Sequence, residues 1–298
     1  MTQTLKAACI QLNNGPNRDV NTATAIDLIR QAAAQGAELI CTPEYTCQMV
    51  EPGKTSRLDG AQTEEENDQL KQYRALAKEL NVWLLIGSLG IKITDDKLAN
   101  RSFLIDNEGN IAARYDKIHL FDADLSDGTS FRESNVVKPG DKAVVADTPW
   151  GGLGMSICFD VRFADQYRKM AQAGASILAV PAAYSIPSGS TTWEIFLRTR
   201  AAETGSFVIA PAQAGLHEGQ RRSWGRSMII DPLGKILAEA DGQNPGFITA
   251  ELDLDAVTRA RQSVPALYAD RAFTVESQVE DQSAAKPPVG SSVPKLGM

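Results

Sequence analysis

The segment Trp83-Leu-Leu-Ile-Gly-Ser-Leu89 is almost wholly apolar over the length of a strand. A strand wetted on one face alternates apolar with polar residues, whereas one buried on both faces does not. A sheet covered on two sides is therefore expected, and the flanking segments show what covers it. Residues 5–12 read as a strand, and 19–35 follow with helical spacing through Ala23, Ile26, Ile29 and Ala33. A short strand is expected at 37–41. A helix with one wet face is expected over 64–80, its apolar positions being Leu70, Tyr73, Leu76, Ala77 and Leu80.

Hairpins interrupt the alternation. Strands at 102–105 and 111–115 flank Asp106-Asn-Glu-Gly109-Asn, and Ile230-Asp-Pro-Leu-Gly234-Lys gives a second strand–turn–strand signal. Residues 123–142 read as loop. Further strands are expected at 142–147, 153–158, 177–180, 207–210, 227–230 and 247–251, with helices over 164–173 and 193–203. This pattern predicts a layered α/β protein with mixed sheets rather than a purely parallel doubly wound one. Residues 1–276 are expected to form one domain. The Ser-, Ala-, Lys-, Pro- and Gly-containing segment 277–298 is expected to be a flexible tail, or an arm lying on a partner.

The 298 residues are 43% hydrophobic and 22% charged, as in an ordinary soluble globular protein. A formal net charge of −7 argues against nucleic acid or an acidic membrane as partner. It leaves a small anionic substrate open, because a local pocket can be basic within an acidic protein. No apolar run approaches the roughly 20 residues that span a bilayer, and a secretory signal is not expected ahead of the first strand. Cys9, Cys41, Cys47 and Cys158 make no close metal-binding pairs, and two histidines are too few to predict a zinc site. Two disulfides could form in principle, but four free thiols in a reducing cytoplasm are the expectation. No metal or cofactor is called for.

The chemistry-bearing residues lie at segment ends. In Gly151-Gly-Leu-Gly-Met-Ser-Ile-Cys158-Phe-Asp-Val-Arg162-Phe163, a strand-like run enters the thiol and a helix-compatible run leaves it. A lone apolar-flanked cysteine is most often a core thiol. At a strand-to-helix junction, however, helix amides can stabilise a thiolate and receive an oxyanion. Glu44, in Cys41-Thr-Pro-Glu44-Tyr45, reads either as a surface loop carboxylate or as an enclosed base for that thiol. Lys117, in Arg114-Tyr-Asp-Lys117-Ile-His-Leu-Phe-Asp122, is either half of a solvated pair with Asp116 or a fixed cation. Such a cation would lower the thiol pKa and hold a substrate oxygen. Glu133, in Phe131-Arg-Glu133-Ser134, could orient Lys117 or a substrate nitrogen. His119 and His217 leave a Cys–His dyad as the main competing arrangement. Asp160 and Arg162 either pair with each other, or Arg162 faces an anionic substrate. A thiol nucleophile, a carboxylate base and a lysine electrophile together make a hydrolase that needs no metal.

Five anchors occur in order: Thr42-Pro-Glu44; Tyr115-Asp-Lys117-Ile-His-Leu-Phe-Asp122; Phe131-Arg-Glu133-Ser; Ile157-Cys158-Phe-Asp160-Val-Arg162-Phe163; and Ile230-Asp-Pro-Leu-Gly234. Through about residue 275 the chain resembles the carbon–nitrogen hydrolase, or nitrilase, superfamily. The resemblance implies a four-layer αββα sandwich and a Glu–Lys–Cys triad carried by Glu44, Lys117 and Cys158. It places an assisting glutamate at Glu133. In amide hydrolysis through a thioester, Lys117 and the Phe159 amide are expected to hold the oxyanion. The resemblance also implies a homodimer or larger oligomer, paired through helices near the nucleophile. The segments around Lys117 and Glu133 look most like the omega-amidase and deaminated glutathione amidase branch, which hydrolyses side-chain amides of 2-oxo acids or related dipeptide-like acids.

The chain departs from that branch at Ser190-Thr-Thr192-Trp193, which lacks a histidine before the tryptophan, and at Trp224-Gly-Arg226-Ser227, where arginine replaces histidine. Substrate contacts are expected from Tyr45, Arg162, Tyr184, Trp193 and Arg226. Arg198 is a further candidate anchor, although Arg198 and Arg200 could simply brace acidic neighbours. A small carboxamide, one that could bear a carboxylate, is the expected substrate. Nitrile hydrolysis, N-carbamoyl amino acid hydrolysis and a catalytically silent binding scaffold are the alternatives.

Overall fold

A computed structural model describes residues 3–50, 58–125, 128, 130–217 and 221–276. Two six-stranded mixed sheets form its centre. The first runs in the order Gly246–Asp253, Thr4–Gln11, Leu39–Cys41, Trp83–Lys92, Leu98–Ile105, Ile111–Asp116. The second runs Ile236–Glu239, Met228–Ile230, Phe207–Ala210, Ala175–Ala179, Gly152–Met155, Val144–Ala146. Each sheet has three adjacent parallel strands flanked by antiparallel ones. The hairpin signals supply antiparallel neighbours and the helical connections supply the parallel ones, as loop length requires.

The two-residue period of a strand sorts side chains between layers. Leu5, Ala7 and Cys9 point into a core shared with the second sheet, joined there by Leu39, Cys41 and Leu85. Ala8, Ile10, Ile40, Leu84 and Ile86 point the other way, onto Ala25 and Ile29 of the Arg18–Ala34 helix and Leu70, Tyr73 and Leu76 of the Asp68–Leu80 helix. Tyr167 and Met170 of the Ala164–Gln172 helix, with Trp193, Leu197 and Ala201 of the Ile186–Thr204 helix, join the core that includes the second sheet. The layers are thus helix, sheet, sheet, helix. Among the described residues no helix is long and apolar enough to cross a membrane.

Several boundaries differ from those predicted. The helix expected from residue 64 starts at Asp68, because the Asn67 side chain accepts the Leu70 amide and caps it there. The helix expected from 193 starts at Ile186, with a proline in its first turn where a missing N–H costs nothing. Residues 123–142, expected as loop, contribute to a two-stranded ribbon, Asp122–Asp124 with Ser130–Arg132, followed by a 3-10 turn, Glu133–Asn135. A second ribbon, Ala214–Leu216 with Arg222–Trp224, and the Asp255–Ser263 helix were not predicted. The proposed tail at 277–298 lies outside the described residues.

One close approach seats the loop after the Leu39–Cys41 strand. The Gly87 amide donates to the Thr42 hydroxyl (3.0 Å), the Thr42 amide to the Leu85 carbonyl (2.9 Å) and the Tyr45 amide to the Ser88 hydroxyl (2.9 Å). A Cβ on Gly87 would collide with the Thr42 carbonyl and the Pro43 backbone. Overpacking against main chain cannot be relieved by a rotamer change. Gly87→Ala is therefore expected to cost about 2 kcal/mol or more, read as a lowered Tm in thermal melts. It should also reduce turnover, because Glu44 follows directly on the displaced residues.

Candidate active site

Four ionisable side chains meet where the two sheets' strands end. Glu44 sits in the turn after Leu39–Cys41, and Lys117 follows immediately on the Ile111–Asp116 strand. Glu133 opens its 3-10 turn, and Cys158 opens another, Cys158–Arg162. The Lys117 Nζ lies 2.9 Å from Glu44 Oε1 and 2.9 Å from Glu133 Oε2, with all three side chains 2% exposed. The backbone at Lys117 is fixed on both sides: its amide donates to the Asn100 carbonyl (3.0 Å) and its carbonyl accepts from Gly140 (2.9 Å).

The remaining carboxylate oxygens are also occupied. Glu44 Oε2 accepts the Ala183 amide (3.0 Å), and Glu133 Oε2 also accepts the Phe121 amide (2.8 Å). Glu133 Oε1 accepts the Tyr45 hydroxyl at 2.7 Å. Asn100 Nδ2 lies 3.0 Å from each of Glu44 Oε1, Tyr45 Oη and Glu133 Oε1. Asn100 was not anticipated from sequence. Its signal was an asparagine within a strand whose neighbours Leu98, Ala99, Phe103 and Leu104 are buried and apolar.

Cys158 takes φ +49°, in the left-handed region, and its amide donates to the Pro181 carbonyl at 2.9 Å. Burial pushes the thiol well above its usual range and the neighbouring Glu44 carboxylate pushes the same way; Lys117 and the Ala183 amide only partly oppose them. Lys117 does lower the thiol pKa, as expected of a fixed cation, but burial and Glu44 outweigh it. For Lys117, burial alone would favour the neutral amine, but Glu133 and Glu44 raise its pKa well above the ordinary lysine value. One ammonium between two carboxylates leaves the cluster one negative charge in excess. Ionising the thiol to solvent would add a second.

These residues line a cleft together with Tyr45, Phe121, Phe159, Arg162, Tyr184, Ser185 and Arg221. Of the expected substrate contacts, Tyr45, Phe159, Arg162 and Tyr184 are therefore at the cleft. Trp193 is not: it is fully buried, its ring centroid 5.0 Å from that of Tyr184, and its Nε1 donates to the Arg226 carbonyl (2.9 Å). Arg226 is not there either, since its guanidinium pairs with Glu239. Arg198 and Arg200 pair with Glu194 (3.0 Å) and Glu203 (2.6 Å), bracing acidic neighbours. Arg221, with Nη2 on the Ala183 carbonyl (3.0 Å), was missed because a ribbon brings it back over the cleft.

Asp160 does not pair with Arg162. Its carboxylate accepts from Tyr115 Oη (2.6 Å), the Ile157 amide (2.8 Å) and the His119 amide (3.0 Å), and lies 2.8 Å from His119 Nδ1. One buried carboxylate thus ties the turn after Lys117 to the turn that carries Cys158. Neither imidazole lines the cleft. His217 Nδ1 lies 2.8 Å from the Asn14 carbonyl, so Nδ1 donates and Nε2 accepts from Ser223 Oγ (2.8 Å). The Asn14 side chain in turn donates to the Tyr45 and Thr46 carbonyls (3.0 and 2.8 Å), and Gln213 Nε2 donates to the Glu44 carbonyl (3.0 Å).

Burial pulls the His217 pKa down to about 4. The unfolded chain takes up this proton near pH 6.5, but the folded chain does so only near the lowered value. Stability present at neutral pH should therefore be lost as pH falls between those values, by up to about 3 kcal/mol. His217→Gln should flatten that part of the Tm–pH curve; an unchanged slope would place the titration elsewhere.

Helix-covered paired mixed sheets, with an acidic, a basic and a thiol side chain converging at their strand ends, define a hydrolase-type scaffold. The chain belongs to the carbon–nitrogen hydrolase family, which it matches over residues 6–262. It is 38% identical over 265 residues to a deaminated glutathione amidase of Synechocystis sp., covering 88% of this chain and 96% of that one. The C. elegans NitFhit protein superposes with a TM-score of 0.84 at 32% identity, covering 91% of this chain and 66% of that one. Saccharomyces cerevisiae Nit3, a member of branch 10 of the nitrilase superfamily, gives 0.78 at 28% identity, covering 88% and 95%.

Proposed function

We propose that this carbon–nitrogen hydrolase cleaves the carboxamide of a small, carboxylate-bearing compound through a Cys158 thioester, in the manner of a deaminated glutathione amidase or omega-amidase. The observation that supports this most is the Lys117 ammonium held between Glu44 and Glu133 on the wall of the cleft that contains Cys158. Passing the thiol proton to Glu44 as sulfur attacks keeps the cluster's charge constant, whereas releasing it to solvent does not. Proton transfer is therefore coupled to attack. Two of the three Lys117 N–H bonds serve the glutamates, and the third, with the Phe159 amide, holds the oxyanion. Glu44 then protonates the departing ammonia, takes a proton from water, and the resulting hydroxide opens the thioester to regenerate thiol and acid.

Arg162 and Arg221 supply positive charge at the cleft for the substrate's carboxylate. The homologous deaminated glutathione amidase of Synechocystis sp. supports the same substrate class. The reading includes a reducing compartment, in keeping with four free cysteines, and a homodimer. Ile195, 63% exposed on the Ile186–Thr204 helix, would pack in the pairing surface. The test is ammonia release from deaminated glutathione, 2-oxoglutaramate, neutral aliphatic amides, N-carbamoyl amino acids and nitriles. Selective turnover of an oxo-acid amide is expected. Turnover of nitriles or neutral amides alone would retain the cysteine chemistry and discard the carboxylate.

A further inference from the structure

Two hydroxyls at the cleft, those of Tyr184 and Ser185, are buried without a well-formed hydrogen bond among the described residues; Thr192 and Arg162 approach the Tyr184 hydroxyl without completing one. A buried hydroxyl left unpaired is a standing cost to the fold, so its retention needs a reason. The Tyr184 phenol is held against Trp193, and the Tyr184 carbonyl accepts the Trp224 amide at 2.8 Å. Burial raises the phenol pKa, so the group remains a donor at neutral pH.

Arg162 lies beside it. The guanidinium carbon is 5.9 Å from the Tyr184 ring centroid and 4.9 Å from that of Phe196, and Nη2 reaches Thr192 Oγ1 at 3.3 Å. Among the described residues Arg162 has no carboxylate partner. A guanidinium without a carboxylate partner, beside a phenol that lacks a well-formed hydrogen bond, favours an anionic oxygen. The same stretch of backbone meets the reaction centre, since the amide of Ala183, one residue earlier, grips Glu44. Residues 183–185 therefore fix the distance between the attacked carbonyl and any group that Tyr184 recognises.

Resting on the hydrolase reading above, we infer that the Tyr184 hydroxyl, with that of Ser185 beside it, is a specificity-determining donor to the substrate's remote carboxylate, which Arg162 neutralises. Arginine alone would attract any anion. The hydroxyls add direction, so an acyl chain of the wrong length leaves them unpaired and is rejected.

The test measures binding rather than turnover. In a Cys158→Ala background, the five-carbon dicarboxylate glutarate, which mimics the product of a carboxylate-bearing amide, is titrated calorimetrically with and without Tyr184→Phe. The ring and its packing remain in the variant. Glutarate should bind about tenfold or more weakly, the neutral diamide of glutarate should lose less, and Tm should not fall because a hydroxyl without a well-formed hydrogen bond has been removed. Equal losses for the two ligands, a glutarate affinity within about twofold of the parent's, no glutarate binding by the parent, or a Tm lowered by several degrees would each overturn the assignment. Ammonia release by the wild-type chain judges the hydrolase reading separately. A chain without turnover that still shows Tyr184-dependent glutarate binding would lose that reading and keep this one.

Discussion

Cys158→Ala is expected to fold as the wild-type chain does and to release ammonia at least about 10⁴-fold more slowly. The folding half follows from the backbone. Cys158 occupies the left-handed region, where alanine meets the same strain as cysteine, and the turn is held by groups the substitution leaves alone. These are the Cys158 amide on Pro181 and the Asp160 carboxylate on Ile157, Tyr115 and His119. The ion cluster also persists, because the thiol contributes no charge at rest. A Tm within a few degrees of the wild type is the check. The catalytic half follows from inventory. Cys158 is the thiol at the cleft, while Cys9, Cys41 and Cys47 lie within the cores. Native alkylation with iodoacetamide should accordingly label one site in the wild type and none in the variant. Its rate should keep rising above pH 9, since burial and Glu44 raise the thiol's pKa. Near-native turnover in the variant would remove Cys158 as nucleophile.

What the sequence disclosed and what it hid divide along contact range. The apolar run at 83–89 announced a doubly covered strand, and the structure buries Leu84, Leu85 and Ile86 between layers as that required. Glu44, Lys117, Glu133 and Cys158 could be singled out because each sits at the end of a locally readable segment. Asn100 could not, since its role depends on three partners 33 to 56 residues away. The start of the Ile186–Thr204 helix was hidden by Pro187, Ser188 and Gly189, all poor helix formers. The structure supplies a reason for the glycine: a Cβ there would strike Trp224. Arg226 was misplaced for the opposite reason. A cation near an expected cleft loop looks like an anchor until Glu239, on the paired strand, is seen to neutralise it. The raised pKa of Cys158 was equally out of reach, because it depends on summing charges that only the fold assembles.

Lys117→Met should have the largest combined effect. It removes the one cation between Glu44 and Glu133 while nearly preserving volume, so the packing survives and the charge balance does not. Breaking a buried pair from one side typically costs about 3–5 kcal/mol. Losing an oxyanion donor lowers turnover about 10²–10³-fold, before any displacement of Glu44 is counted. The stability loss should depend on pH. With two facing carboxylates and no ammonium, the variant's folded state holds a proton that the unfolded chain releases above roughly pH 4.3. A carboxyl pKa raised in the folded state gives stability that is complete below the unfolded value and is lost as pH rises through the folded one. The Tm deficit relative to wild type should therefore be larger at pH 7 than at pH 5, the reverse of an ordinary loss of a salt bridge under acid. Adding Glu133→Gln to Lys117→Met removes one of the opposed charges, and should recover much of the Tm at pH 7 while leaving ammonia release at the single variant's level. Recovery of both would mean that the lysine serves the fold alone. Recovery of Tm without turnover would separate its two duties, neutralising the glutamates at rest and stabilising negative charge on the substrate oxygen during attack.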